Sequence, residues 1–315
     1  MAELKLKTVF RPDGHTVPLR DQTVKPGTFE VDYVDVPVLI QAFRRMVRGL
    51  DYDICEMAIT TYICAKAYGK RFTAIPVFPA RVFHHGAIVY NTKSGIRSPK
   101  DLEGKRVGVH RGYTVTTGVW IRGILQHQYG VDLNKITWLL SGDEHVAEFR
   151  APSNVVPIEK GQNLEDMIVS GEIPAAVNVE VEHPEVKPLI SNPAEAGFDA
   201  LRSSGHYPIN HTVVVKDELL ESHPGLAEDI FNAFAAAKRL YVDRLRSGQI
   251  AAPTKTDERY KRVTEITGAD PLPYGIVPNR PMIDTVMQYA TEQKILDRPI
   301  SIEDLFATGT LGLVG

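Results

Sequence analysis

The order of short β-rich runs and amphipathic helices constrains this chain more than any single motif. Leu4 to Phe10, Val31 to Val36, Asp53 to Ile59 and Thr73 to Val77 read as strands, with Val38 to Gly49 and Thr60 to Tyr68 as helices between them. Strands that alternate with helices are joined by crossovers, which implies a parallel sheet covered by those helices. Phe83 to Asn91 reads as a further strand, and Asn91 to Gly95 is a polar, turn-rich exit at which a second lobe can begin. That lobe carries the strand Arg106 to Val109, a helix from Val115 to Tyr129 closed by Gly130, the strand Ile136 to Leu140, a helix from Asn163 to Ser170 and the strand Ala175 to Val179. The apolar run Tyr207 to Lys216 takes the chain back, and the remainder is mainly helical, with Gly225 to Leu245 and Met282 to Gln293 the clearest helices. The expected division is 1–90 plus 211–315 for lobe I and 91–210 for lobe II, with hinges at Ala87 to Asn91 and Asn210 to Val214.

Composition narrows the classes. In 315 residues, 43% hydrophobic side chains suffice for a core in each lobe. A net charge of −3 with no basic stripe argues against nucleic acid as a partner. No run of about 18 apolar residues occurs, so no membrane span is expected. Met1 to Phe10 alternates like a strand rather than reading as an export signal, and Cys55 and Cys64 sit in core patterns. The expectation is therefore a cytoplasmic protein. The helical tail after Asp217 is expected either to pack on lobe I or to supply contacts in a homo-oligomer.

The run Gly95 to Val109, with its Ser-Pro-Lys-Asp-Leu-Glu-Gly-Lys segment, the Gly130-Val131-Asp132-Leu133 turn and Thr137-Trp138, resembles type II periplasmic solute-binding proteins. The fold this implies is two-lobed α/β, with doubly wound mixed sheets, a hinge and an interlobe cleft. Pro79 to His85, Val109 to Tyr113 and the Tyr207 to His211 return strand resemble, more closely, the 4,5-dihydroxyphthalate decarboxylase family. That resemblance implies loss of CO2 from a dihydroxylated aromatic diacid, giving a dihydroxybenzoate of the protocatechuate type, as in phthalate catabolism. It implies no organic cofactor. Gly108 and Gly112 lack the dinucleotide spacing, so NAD is not expected either.

An aromatic carboxylate with a hydroxyl para to it can lose CO2 without an electron-sink cofactor. The carbon bearing the carboxylate takes a proton while the phenol gives one up, and CO2 leaves as aromaticity returns. The protein then needs a cationic clamp, an acid and a base. Arg81 and Arg111 are the clamp candidates, because guanidinium groups bind carboxylates through paired hydrogen bonds, although each also reads as a surface arginine. Tyr113 is placed to touch the ring, and Thr116 and Thr117 open a helix whose free amides favour an anion, with capping by Thr114 as the plain alternative. His84, His85, His206 and His211 fall where the chain crosses between lobes. Neighbours on a regular strand face opposite ways, so one of His84 and His85 is structural; His85 is favoured as the acid-base group, with His211 as its partner, and His84 as a binding residue. His110 is poised at its strand end. Glu56, at the end of its strand, is either a proton donor with a raised pKa or the ion-pair partner of a clamp arginine. Arg11 and His15 lie in the loop after the first strand, where they can close over a ligand or stay solvated, and the two tryptophans, Trp120 and Trp138, read as core.

No dedicated metal site is expected, since Glu144, His145 and Glu148 on a helix start lack a completing pair; a divalent ion among His84, His85 and His211 is left open. Two other functions use the same fold. One is a solute-binding receptor that holds a small anionic ligand without turnover. The other is a biosynthetic enzyme inert toward phenolic acids.

Overall fold

The computed structural model describes residues 4–315 and divides into two compact units. The first contains the residues up to Arg81, Ile209–Asp284 and Ile300–Gly315; the second contains Val82–Pro208 and Thr285–Pro299. In chain order the first unit begins β1 (Lys5–Val9), α1 (Val17–Arg20), β2 (Glu30–Tyr33), α2 (Leu39–Gly49), β3 (Ile54–Ala58), α3 (Ile59–Ala67) and β4 (Phe72–Arg81). The second unit follows with β5 (Ile88–Asn91), β6 (Arg106–Val109), α4 (Thr116–Tyr129), β7 (Thr137–Leu140), β8 (Val155–Pro157), α5 (Leu164–Ser170), β9 (Ala175–Val177), β10 (Val186–Pro188) and α6 (Pro193–Ser204). The return strand β11 (Ile209–Lys216) leads to α7 (Asp217–Ser222), α8 (Leu226–Arg246), α9 (Lys255–Thr267), α10 (Arg280–Glu292) and α11 (Ile302–Leu305).

The first sheet has the order β2-β1-β3-β11-β4. β1 runs parallel to β2 and β3, while β11 is antiparallel to both β3 and β4, so the sheet is mixed. All five residues of β3 are buried, as expected of a central strand covered on both faces. The second sheet has the order β10-β5-β9-β6-β7-β8, parallel across β9, β6, β7 and β8 and antiparallel at β5 and β10. Its core includes Leu139, Leu164, Ile168 and Ala176 from β7, α5 and β9, with Ile173 from the loop before β9.

Three expectations change. Residues 82–90 belong to the second unit, because Ile88–Asn91 pairs with β9 and β10, and the chain passes between units after Arg81 and after Pro208. Of the tail, Thr285–Pro299 also belongs there, whereas α8 packs on β4 and α1 of the first unit. Residues 83–87 are not strand: His85–Ala87 form a 3-10 turn, so the alternation argument for His84 and His85 does not apply. Residues 1–3, at the start of the N-terminal strand pattern, lie outside the described residues. Cys55 and Cys64 are buried free thiols, and burial, with the Glu56 charge beside it, pushes the Cys55 thiol far up. No helix among the described residues is long and apolar enough to cross a membrane.

Candidate functional site

In the first unit the loop that leaves β1 and the end of β3 are neighbours, because the two strands run parallel with Val9 beside Cys55. This is the carboxyl edge at which sheets of this type present ligands. Glu56 is only 2% exposed there, and its carboxylate accepts the Arg11 backbone N–H at 2.7 Å and faces His211 Nδ1 at 2.5 Å. The pairing follows from register. Glu56 lies opposite Val213, so His211, two residues along, is its diagonal neighbour on the same face. Irregularities in the β11–β4 register flank His211 on both sides, a feature that re-aims side chains beside functional sites. The Phe43 ring of α2 meets the imidazole edge-on, with centroids 5.2 Å apart.

Burial pushes the Glu56 pKa up, but the hydrogen bond and charge of His211, with the Arg11 amide and charge, pull it lower still, so the net shift is downward. The expected raised carboxyl is therefore not Glu56, and its ion-pair partner is His211 rather than an arginine. The raised carboxyl is Asp13, which no local pattern singled out. Burial first, and then the Glu56 charge, lift it to about 6. His15 is 1% exposed and lowered to about 4, chiefly by burial, against the charge of Glu56 and a hydrogen bond with the Pro79 backbone. Its ring packs among Tyr241 and Tyr260 at 5.7 and 6.4 Å. Gly14 makes that packing possible, since a Cβ there would come within 2.6 Å of the Tyr241 ring. The Arg11 side chain is solvated, and its contribution to Glu56 comes through its amide and its charge. Arg81 is 2% exposed and donates to Asn279 Oδ1, so it is a buried structural group rather than an open clamp.

In the second unit the loop leading into α4 already holds an internal carboxylate. The Glu144 carboxylate accepts the Tyr113 amide, the Thr114 amide at 3.1 Å and the Thr114 hydroxyl at 2.6 Å. An internal carboxylate thus satisfies the amides of the two residues just before the N-cap, Val115. A Cβ on residue 112 would lie 2.6 Å from Glu144 Oε2, which explains the glycine. Tyr113 is buried beneath the Arg122 guanidinium at 3.9 Å, and Thr116 is also buried; Thr117 is half-exposed. Tyr113 is therefore not a ring contact. Residues 141–150 form bends and turns rather than a helix start.

Arg111 is different. It holds a left-handed backbone, φ +70°, with its amide donating to Ser141 Oγ at 2.9 Å. A non-glycine residue in that region costs about 1 kcal/mol or more, and such residues cluster at functional sites. Among the described residues its guanidinium has no hydrogen-bond or ion-pair partner.

His84 stacks over the core residue Trp120 with a 5° interplanar angle, His206 meets the same ring edge-on, and His85 Nε2 is 2.9 Å from Gln128 Oε1. His85 and His211 thus belong to different units and have different partners. Burial lowers both His85 and, to about 4, His206, the latter with help from the His85 charge. His110 is half-buried at the end of β6, and desolvation and Arg111 lower it. Among the described residues no group of three or more His, Cys, Asp or Glu side chains is placed to hold a metal ion.

Two mixed α/β units, with a return strand inserted antiparallel into the first sheet, define the binding-protein class of α/β folds. Solved structures agree at the level of fold. The periplasmic aliphatic sulphonate binding protein SsuA of Escherichia coli matches with a TM-score of 0.50 at 13% identity, over 94% of this chain and 87% of that one. The desulfurization enzyme DSZB matches with a TM-score of 0.54 at 12% identity, over 97% and 96%. The chain belongs to the family described as NMT1/THI5 like, whose model matches residues 59–242. It is 29% identical over 331 residues to a 4,5-dihydroxyphthalate decarboxylase of Comamonas testosteroni, covering 99% of this chain and 98% of that protein. It is 32% identical over 204 residues to a 4,5-dihydroxyphthalate decarboxylase of Pseudomonas putida, covering 59% and 78%. The resemblance first seen in short motifs therefore extends along the whole chain.

Proposed function

We propose that this protein is a carbon–carbon lyase that removes CO2 from a dihydroxylated aromatic carboxylate of the 4,5-dihydroxyphthalate type. Full-length similarity to the Comamonas testosteroni decarboxylase of that name supports the reaction class. The observation that carries the chemistry is the buried Glu56–His211 pair, a carboxylate held ionised against an imidazole on the adjacent strand. With the imidazole neutral and its Nδ1–H donated to Glu56, such a pair can take the proton of a phenol, with Glu56 stabilising the imidazolium that forms. This chemistry runs without an organic cofactor, since the ring itself is the electron sink. A reducing, cytoplasmic setting fits the two buried free thiols.

Carboxylate binding is assigned to Arg111, whose strained backbone and unpartnered guanidinium have no structural explanation within the second unit. Arg111→Gly relieves the left-handed strain while removing the cation, so folding stability should hold within about 1 kcal/mol. kcat/KM should fall about 100-fold, mainly through KM, as expected for loss of a charge-assisted bond. Thermal unfolding and steady-state kinetics on one preparation check both halves.

The reading as a whole is tested by comparing 4,5-dihydroxyphthalate with phthalate, before and after chelation. Turnover of the hydroxylated acid alone is expected, because only it has a phenol para to the departing carboxylate. Equal turnover of both, or of neither, would overturn the proposed chemistry.

A further inference from the structure

We propose that Asp13 delivers the proton to the ring carbon that loses CO2, while the Glu56–His211 pair takes the phenolic proton. The inference rests on the decarboxylase reading and extends it to a residue with no assigned role.

The Asp13 amide donates to the Arg11 carbonyl at 2.9 Å while the Arg11 amide donates to Glu56, so the two acids share one loop-to-strand contact, and Asp13, Glu56 and Asp257 differ in their donors. Glu56 accepts from the Arg11 amide and faces His211. Asp257 caps the start of α9, accepting the Thr254 amide and hydroxyl, both at 2.7 Å, and the Tyr241 hydroxyl. The carboxyl of Asp13 has no donor among the described residues. Where carboxyls share a site, the one without donors is the one that keeps a proton.

Its position is fixed by backbone rather than by its own head group. The Asp13 amide donates to Thr16 Oγ1 at 2.9 Å, and the Asp13 carbonyl accepts the amides of Thr16 and Val17 at 2.8 and 2.9 Å. The carboxyl is thus held in place but left chemically free. A second observation points to a ligand. His15, two residues on and 1% exposed, has a buried Nε2 with no partner, and Glu56 and Asp257 are among its electrostatic neighbours. A buried ring nitrogen without a partner, within the field of Glu56, is what a polar substrate group would complete.

The electrostatics agree. Burial and the Glu56 charge raise Asp13 to about 6, against the lowering charges of Arg11 and His211, with Asp257 raising it further. The hydroxyls of Tyr241, Tyr260 and Tyr274 also feel its charge. Near neutral pH Asp13 therefore keeps a protonated fraction while Glu56 is ionised.

The step balances. The Asp13 O–H bond breaks and a C–H bond forms at the carbon bearing the carboxylate, as the phenol proton passes to His211. The C–C bond to the carboxylate then breaks, its electron pair restores the aromatic ring, and CO2 departs. The phenolate recovers its proton from His211, and Asp13 takes one from solvent.

The test uses the full chain and 4,5-dihydroxyphthalate, with wild type, Asp13→Asn and Asp13→Glu compared across pH. Asp13→Asn should lower kcat by about 100-fold or more with KM near the wild-type value. In the wild type kcat/KM should fall as pH rises through the Asp13 pKa; that limb should vanish in Asp13→Asn and be displaced in Asp13→Glu. Wild-type turnover with an unchanged kcat in Asp13→Asn overturns this inference alone. Should Asp13→Asn fail to fold, an undisplaced limb in Asp13→Glu overturns it as well. Absence of turnover by the wild type overturns both it and the decarboxylase reading.

Discussion

His211→Ala is expected to lower kcat for decarboxylation by about 1000-fold and to destabilise the first unit by about 3 kcal/mol. Both effects have one origin. Glu56 is 2% exposed and holds its charge because His211 and the Arg11 amide compensate it. Without the imidazole the carboxylate keeps only the amide, and an uncompensated buried charge is among the costliest defects a fold can carry. A second variant separates the two effects. His211→Gln keeps a hydrogen-bond donor for Glu56, so it should recover much of the stability, but an amide cannot take a proton and the rate should stay low. Chemical denaturation and kinetics on the three proteins check this. Full activity in His211→Gln would show that the imidazole only supports the strand edge.

Acidification should loosen the second unit before the first. His206 and His15 are both lowered to about 4 by burial, from ordinary values near 6.5. A histidine whose folded pKa is depressed binds fewer protons in the folded state. Its stabilisation is full above about pH 6.5 and is lost as pH falls toward 4, amounting to about 3 kcal/mol for each residue. Asp13 has the opposite sign. Its folded pKa of about 6 lies above the ordinary 3.8, so the folded state binds the extra proton between those values and gains about 3 kcal/mol on acidification. In the first unit these two contributions nearly cancel. In the second, His206 is joined by the lowered His85 and His110, with no raised carboxyl to offset them. Hydrogen exchange followed by mass spectrometry at pH 7.5 and 4.5 should show peptides from 82–208 losing protection first. Loss beginning in 209–284, or none in either, would contradict the assignment.

The sheet-forming elements were legible because they repeat a local signal. Arg106–Val109 falls where its alternation places it, and α2, α4 and α8 begin and end within a residue or so of their periodic patterns. Segments without a local signal were not. Val186–Pro188 is a three-residue edge strand containing a proline, and residues 83–87 are apolar and aromatic yet turn, with His84 stacked on Trp120 and His85 bonded to Gln128. The site was legible residue by residue but not in its pairings. Glu56 was visible at a strand end and His211 on the return strand, whereas their contact depends on β11 entering between β3 and β4, a topological fact carried by no stretch of sequence. The same holds for Glu144, which binds the loop before α4 from thirty residues away, and for Asp13, whose pKa is raised by burial and then by Glu56 on β3.

The most direct test of the central claim follows carboxyl-labelled 4,5-dihydroxyphthalate through a single turnover with protein in excess. The account predicts that one label per substrate leaves as CO2 and that a dihydroxybenzoate forms in equal amount, with both lost in His211→Ala. Saturable binding with the label retained would contradict it, and would identify a receptor on the same fold.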